Sequence, residues 1–236
     1  MLAGAGGDCE DPAGAGGERE TDAAEDGVAT AACGGAEGGG EVVGLLLAAG
    51  ADGNAPDKDG ERAMDVALRM RFVAVAEALL AGGATLTDPQ KRLGVAVTSG
   101  HAEVIGWLLK HGAVMGPTML HDAALKGHLE SMQVLLENGA SVKALNSEGA
   151  TALHDAALGG HTGAASLLLG RGAEIDARDG AHGATPLFLA ASWGRKQMVE
   201  FLLEKGAGKL LRNKQGKSAR EAALENSHAD VAEALR

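Results

Sequence analysis

Leucine-rich runs that end in a Gly-Ala pair recur along most of the chain from residue 41 onward. Successive closing alanines lie 33, 29, 27, 33 and 34 residues apart. A second marker, Gly-His, precedes three of these runs and has weaker versions at Gly194-Arg195 and Arg71-Phe72. Two markers in constant phase indicate one structural unit that is used about six times, with a partial seventh. The closing alanines are Ala51, Ala84, Ala113, Ala140, Ala173 and Ala207, and the Gly-His pairs begin at Gly100, Gly127 and Gly160.

Each unit has the pattern of a helical hairpin. In residues 149–173, Thr151 is predicted to cap a first helix that ends at Gly160. A second helix then carries Leu167, Leu168 and Leu169, and it ends at Gly172, where a left-handed residue is needed. In the next unit Thr185-Pro186 places a cap directly before a proline at the first helical position.

One hairpin buries too little apolar surface to offset the entropy of ordering its backbone, so the units must stack. The first helices carry paired alanines that allow close approach between neighbours. We therefore predict a continuous thin core shared by successive units. The alanine pairs are Ala123-Ala124, Ala156-Ala157 and Ala190-Ala191.

The repeated segments at residues 116–140, 149–173 and 183–207 resemble the ankyrin repeat family. The unit at 60–84 is a looser match, with Arg71 in place of the glycine between helices. Residues 41–55 resemble the second half of a first unit, and residues 213–236 resemble a terminal unit. The resemblance runs from about residue 30 to the end. It implies an all-α solenoid of stacked helix-turn-helix units with short hairpin loops, about six to seven repeats, and degenerate first and last caps.

Two departures from the family pattern concern the connections between units. The unit from Ala84 to Ala113 lacks four residues of its hairpin, and the connection from Ala113 to Thr118 is shorter still. We expect the row of hairpins to be interrupted there, which leaves open whether one groove or two shorter ones result. Residues 179–183 contain one extra residue, which is predicted to push His182 outward.

Some sequence fragments imitate chemical sites. His121-Asp122 and His154-Asp155 suggest a metal-dependent phosphohydrolase, but they lie 33 residues apart, at equivalent positions of stacked helices. Such parallel copies do not converge on one ion, so we expect these histidines to bond the backbone of neighbouring loops. Gly216-Lys217-Ser218 imitates a phosphate loop, but Leu211 stands where its first glycine is required, and Ser218 suffices as a helix cap. We predict no catalytic residue, cofactor or metal.

Composition and charge divide the chain. Residues 1–40 hold nine acids and one base, so their net charge is −8 of the total −11, and 22 of these 40 positions are Gly or Ala. We predict that residues 1–29 are a disordered acidic tail and that residues 30–236 form the repeat array. An acidic chain is a poor nucleic-acid binder.

Two further features bear on compartment. The only cysteines, Cys9 and Cys33, support neither a disulfide framework nor a zinc site. The longest apolar stretch, residues 42–51, is about half of what a bilayer crossing needs. We predict a monomer in the cytoplasm or nucleus, without membrane insertion.

The resemblance implies non-catalytic protein recognition through a concave face, as an adaptor or regulatory scaffold. Trp193 is the leading anchor, unless it lies flat against Leu158 or Asn226, whereas Trp107 is predicted to be core. The alternatives are a recognition fragment of a larger protein whose catalytic domain is not in this chain, and a purely structural spacer. The candidate contacts are Arg69, Met70, Leu125, Lys126, Ser147, Glu148, Leu158, His182, Ser192, Trp193, Lys214 and Gln215.

A basic run near the C-terminal end offers a further candidate surface. Its six bases are opposed by Glu204 alone between residues 204 and 220. The run is either a solvated capping surface or an electrostatic landing site for an acidic partner or for the acidic N-terminal segment. The bases are Lys205, Lys209, Arg212, Lys214, Lys217 and Arg220.

Overall fold

The computed structural model describes residues 39–57 and 59–236, and this part of the chain contains thirteen α-helices. They are α1 Gly39–Ala48, α2 Ala63–Arg69, α3 Val73–Ala81, α4 Pro89–Ser99, α5 Ala102–Lys110, α6 Met119–Lys126, α7 Leu129–Glu137, α8 Ala152–Gly159, α9 Thr162–Gly170, α10 Pro186–Ser192, α11 Lys196–Glu204, α12 Ala219–Glu225 and α13 Ala229–Ala234. The predicted tail, residues 1–29, and the start of the array at residue 30 lie outside the described residues. On a larger scale than the repeats, the chain divides into two compact units, called the first unit and the second unit below. The boundary between them in the sequence falls between Asp88 and Pro89.

In the first unit, α1 packs against α3, and α2 pairs with α3. Leu47 of α1 lies against Gly82, where a side chain would collide with it. Arg71 connects α2 to α3 with a φ of 64°, which is the left-handed conformation that glycine adopts at the corresponding points of other repeats. The geometry of the hairpin is therefore kept although the glycine is missing.

In the second unit, helices α4 to α13 form five consecutive pairs. The first helices of the pairs, α4, α6, α8, α10 and α12, pack side by side, and so do the second helices, α5, α7, α9, α11 and α13. The predicted alanine pairs are completely buried between the first helices, and a leucine from each of the middle second helices fills the layer behind them. The predicted thin core is confirmed. These leucines are Leu135, Leu168 and Leu202.

The predicted caps are present. Thr185 Oγ1 accepts a hydrogen bond of 3.2 Å from the backbone N–H of Phe188, and Pro186 is the first residue of α10. Ser218 and Glu221 form a reciprocal capping box, in which the Glu221 carboxylate accepts from the Ser218 N–H at 2.7 Å. The sequence therefore marks where these first helices begin.

The Gly-His marker corresponds to a contact between neighbouring units. Gly127 has a φ of 73°, and a Cβ placed on it would lie 2.5 Å from Nδ1 of His161 in the next unit. Gly100 faces His128 in the same way, at 2.7 Å, and Gly194 faces His228 at 2.6 Å. Each glycine thus supplies both a left-handed turn and the space for the histidine of the following unit.

Candidate functional site

The candidate contacts of the second unit lie in two rows. One row is formed by the ends of the first helices, and the other by the tips of the hairpins that precede these helices. Seven or eight helical residues separate the rows, which corresponds to about 10–12 Å. We call this surface the first-helix face. Its first row holds Leu125, Lys126, Leu158, Ser192 and Trp193, and its second row holds Ser147, Glu148, His182, Lys214 and Gln215. The two remaining candidates, Arg69 and Met70, are exposed at the end of α2 in the first unit.

Trp193 projects from the first row. It follows the last residue of α10 and is 59% exposed, so the neighbouring units do not cover its ring. The preceding residue is fixed, because Ser192 Oγ accepts a hydrogen bond of 3.0 Å from Asn226 Nδ2. Leu158, near the end of α8, and Ser192, the last residue of α10, are half-buried. Trp107, by contrast, is 5% exposed, which confirms the core prediction.

The hairpin tips of the second row are joined through their backbones. Ala181 N–H donates to the carbonyl of Glu148 at 3.0 Å, and Lys214 N–H donates to the carbonyl of His182 at 2.8 Å. The buried Asp179 carboxylate closes the enlarged hairpin by accepting from the His182 N–H at 2.6 Å. His182 itself is exposed, as its extra residue predicts. The second row is therefore a fixed edge.

The row of hairpins is interrupted before residue 146, as predicted. Backbone bonds close the hairpins that begin at Asn146, Asp179 and Asn213, whereas no bond of this kind closes residues 113–118 in the described structure. The side chain of Gln90 takes over there, with Oε1 accepting from the Val114 N–H at 3.0 Å and Nε2 donating to the Val114 carbonyl. From residue 146 onward, the second row is continuous.

The two histidines considered as metal ligands bond separate backbone carbonyls. His121 Nε2 lies 3.1 Å from the Ala150 carbonyl, and His154 Nε2 lies 3.1 Å from the Ala184 carbonyl. The expectation that they bond neighbouring loops is confirmed. Among the described residues, no three His, Cys, Asp or Glu side chains are grouped to hold a metal ion.

His154 also caps its own helix. Its Nδ1 accepts from the Thr151 N–H at 3.1 Å, so Nε2 carries the ring proton and donates it to the next unit. Burial lowers the pKa of the His154 imidazole, which keeps the ring neutral. At α6 this arrangement is incomplete, because Thr118 is not extended and Nδ1 of the buried His121 has no hydrogen-bond partner.

The geometry described so far agrees with the comparison to known families. The model of ankyrin repeats, described as three copies, matches residues 93–179 and 178–236. The chain belongs to the ankyrin repeat family. Ankyrin repeats are protein-interaction modules, and the family is generally non-enzymatic. No helix within the described residues is long and apolar enough to cross a membrane.

A curated relative extends the comparison. The chain is 31% identical over 193 residues to a transient receptor potential cation channel subfamily A member 1 homolog from Caenorhabditis elegans. The matched region covers 77% of this chain and 16% of the relative. The ankyrin array therefore corresponds to a small part of that protein.

The basic run near the end of the array is partly neutralised. Arg212 forms an ion pair with Glu221 at 3.0 Å, and Lys217 forms one with Glu225 at 2.7 Å. Both acids lie on α12, just beyond the segment of residues 204–220 in which Glu204 is the one acid. Two of the six bases are thus paired with acids of α12.

The partly buried carboxyl of Asp155 was not predicted from the sequence, where Asp155 was considered only as part of the His154-Asp155 pair. Burial raises the pKa of its carboxyl to about 6, and Asp122 and Glu148 add to the increase while His121 opposes it. Its Oδ2 is buried without a hydrogen-bond partner. Burial is thus the main reason that the ionised form of Asp155 is disfavoured.

Asp155→Asn is expected to stabilise the array at pH 7. When the pKa of a carboxyl is raised in the folded state, the free energy of unfolding of the protein falls as the pH rises from about 4 to above 6. The free energy of unfolding at pH 7 is expected to rise by about 1 kcal/mol or less, since the Asp155 carboxyl is partly exposed and solvent screens it. Urea unfolding at pH 7 and pH 4 measures it, with Asp230→Asn as the control, because Asp230 is an exposed acid on α13 and is not among the groups that shift Asp155. A gain that is equal at both pH values contradicts the assignment.

Proposed function

We propose that this ankyrin array is a non-catalytic recognition module that binds a partner protein through the first-helix face, as an adaptor or regulatory scaffold. The observation that carries the proposal is the 59% exposure of Trp193, next in sequence to Ser192, whose hydroxyl is held by Asn226. Tryptophan is enriched among the residues that dominate interface energies. This face is concave in the ankyrin family, where it lies between the hairpins and the ends of the first helices.

The neighbours of Trp193 favour binding because they are already ordered. Arg195 donates from Nε to the Leu158 carbonyl at 2.9 Å, and the hairpin tips are tied together through their backbones. Side chains that are fixed before association lose less conformational entropy when a partner binds. The face therefore combines a large apolar side chain with a polar rim that needs little rearrangement.

The test is quantitative affinity capture with the full chain. Wild type, Trp193→Ala and Leu129→Ala are compared; Leu129 is 40% exposed on α7, a second helix away from the face. A partner of the first-helix face is retained by wild type and Leu129→Ala and bound about tenfold more weakly by Trp193→Ala. If every captured protein binds Trp193→Ala as tightly as wild type, the proposal is wrong.

We also propose, as a second candidate, that the array is the recognition segment of a larger protein whose activity resides elsewhere. It is supported by the curated relative, named as a cation channel, of which this chain spans 16%. Sequencing of full-length transcripts tests this. A reading frame that continues into a further domain supports it, and transcripts that encode only these 236 residues contradict it.

A further inference from the structure

The charge of the chain changes sign near the last units of the array. Residues 1–194 hold 12 bases and 26 acids, which gives 12 − 26 = −14. Residues 195–236 hold 9 bases and 6 acids, which gives 9 − 6 = +3, and the sum is the total of −11. The region that begins just after Trp193 is thus the positive part of an acidic chain.

The bases beside the first-helix face keep their charge. The Arg195 guanidinium donates to the Leu158 carbonyl, and the Lys214 ammonium donates to the carbonyls of Gly180 and Ala181. A carbonyl acceptor orients a cation without cancelling its charge, unlike the carboxylates that pair with Arg212 and Lys217 elsewhere on the cap. Arg195 and Lys214 therefore present oriented positive charge.

These cations lie in the two rows of the face, one near the exposed tryptophan in sequence and one at a hairpin tip. Arg195 follows Trp193 by two residues in the row of helix ends, and its Cδ packs 3.0 Å from where a Cβ on Gly160 would be. Lys214 lies in the hairpin row and bonds the backbone of the hairpin that carries His182. The part of the face at α10 and α12 thus carries an exposed aromatic side chain, Trp193, and two cations, Arg195 and Lys214.

The other end of the same face holds more acids than bases. Glu148 lies at its hairpin tip and Asp122 lies on α6, whereas Lys126 is the one base among the candidate contacts there. An acidic segment is repelled there and attracted at α10 and α12. The field along the face therefore selects both the charge and the position of a ligand.

We propose that the α10 and α12 part of the first-helix face binds an acidic polypeptide segment of a partner protein, with an apolar side chain of that segment covering Trp193. This rests on the proposed function and adds the chemistry of the partner. An acidic peptide fits better than a nucleic acid, because a peptide can place its acids opposite Arg195 and Lys214 alone, whereas a phosphate backbone carries a charge at every nucleotide and so also meets the acids at α6 and α8. The net charge of −11 of the whole chain also suppresses non-specific binding of acidic peptides.

The test measures peptide affinity by fluorescence anisotropy with the full chain in 50 mM NaCl. The probes are labelled 16-residue peptides, one of Asp and Glu around a central Phe and one of Lys around the same Phe, together with a 16-nucleotide oligothymidine and a peptide of residues 8–26 of this chain. The test variant is Arg195→His with Lys214→Gln. Histidine is the residue that other units use at the position of Arg195, at His128, His161 and His228, so packing is retained. The matched control, Lys110→Gln with Lys143→Gln, removes the same charge from exposed sites off the face. Thermal unfolding checks that both variants fold.

The proposal predicts that the acidic peptide binds at least about tenfold more tightly than the basic one, and that raising NaCl to 300 mM weakens it several-fold. The test variant should weaken binding about tenfold and the control less than twofold. Equal binding of both peptides, equal losses in test and control variants, or tighter binding of the oligonucleotide overturns it. If the peptide of residues 8–26 binds more tightly than the other acidic peptide, the proposal of a partner protein is wrong, and the face binds the acidic segment of this chain instead.

The two levels of the proposal fail differently. If a captured partner is lost by Trp193→Ala but bound unchanged by Arg195→His with Lys214→Gln, the first-helix face recognises a protein and the acidic preference is wrong. If neither variant changes the binding of any captured protein, the proposed function itself is wrong.

Discussion

Gly127→Ala is expected to lower the free energy of unfolding by about 3 kcal/mol. A φ of 73° costs a non-glycine residue about 1–2 kcal/mol. In addition, the new Cβ would lie 2.5 Å from the His161 ring, so the contact between two neighbouring units must open. Because each unit of an array is stabilised by its neighbours, the loss at this interface weakens both adjoining pairs. Urea unfolding followed by circular dichroism measures the change.

Gly163→Ala is the matched control. Gly163 lies inside α9, and a Cβ there would meet no atom within 4 Å. Alanine has the higher helix propensity, so this variant is expected to be more stable than wild type by about 0.5–1 kcal/mol. Equal effects of the two substitutions, in either direction, would show that the glycine and histidine contacts do not hold the units together.

His154→Leu is expected to cost about 2–3 kcal/mol. The substitution leaves the partly buried Thr151 N–H without a partner, and it removes one of the two donors to the Ala184 carbonyl, which keeps its bond from the Asp179 N–H. A lost hydrogen bond and an unpaired donor both lower stability. His121→Leu, in a setting where Nδ1 already lacks a partner, should cost about half as much because it breaks one bond to the Ala150 carbonyl. Chemical unfolding of the two variants at pH 8 gives the comparison. A larger loss for His121→Leu would contradict this assignment of bonds.

The His154 variant should also lose a pH dependence. Because the pKa of His154 is lowered in the folded state, the neutral ring stabilises the fold above pH 6.5 and this stability is lost as the pH falls through the folded-state pKa. Asp155 has the opposite sign, since its raised pKa favours the fold on acidification. The difference in the free energy of unfolding between wild type and His154→Leu, measured from pH 8 to pH 5, separates the contribution of His154 from that of Asp155. A His154→Leu difference that does not change over this range would rule out the neutral buried ring.

Much of the array follows from its sequence because the relevant signals are local. Thr185-Pro186 and Ser218 mark helix starts through bonds that span three residues. Trp107 and Trp193 differ in their position within the repeated unit, and this difference alone separates a core residue from an exposed one. The position of a residue within the repeat therefore predicts whether it is buried or exposed, as long as the repeats share the same pattern of helices and turns.

Other features join distant residues and leave no local signal. The Gly127 contact with His161 spans adjacent units, so the sequence shows two repeated markers but not that they touch. Gln90 reaches Val114 only because the shortened connection leaves backbone groups unpaired. The raised pKa of Asp155 depends on burial by neighbouring helices, which a sequence pattern does not measure.

Departures from the repeat show which constraint is stronger. Arg71 and Ser227 occupy the position that is glycine in other units, yet their φ values are 64° and 65°. The connection between the two helices of a hairpin therefore requires the left-handed turn even from residues that adopt it at a cost. Residues 60–84 match the family pattern less closely than the later repeats, and the structure nevertheless shows a pair of helices there.

Hydrogen exchange of the full chain, with and without a captured partner, tests the central claim most directly. The account predicts slower exchange on binding at the end of α10 and at the hairpin tips of residues 179–183 and 213–216, with no change on the second helices α7, α9 and α11. Protection confined to those second helices, or to the first unit alone, would contradict recognition through the first-helix face.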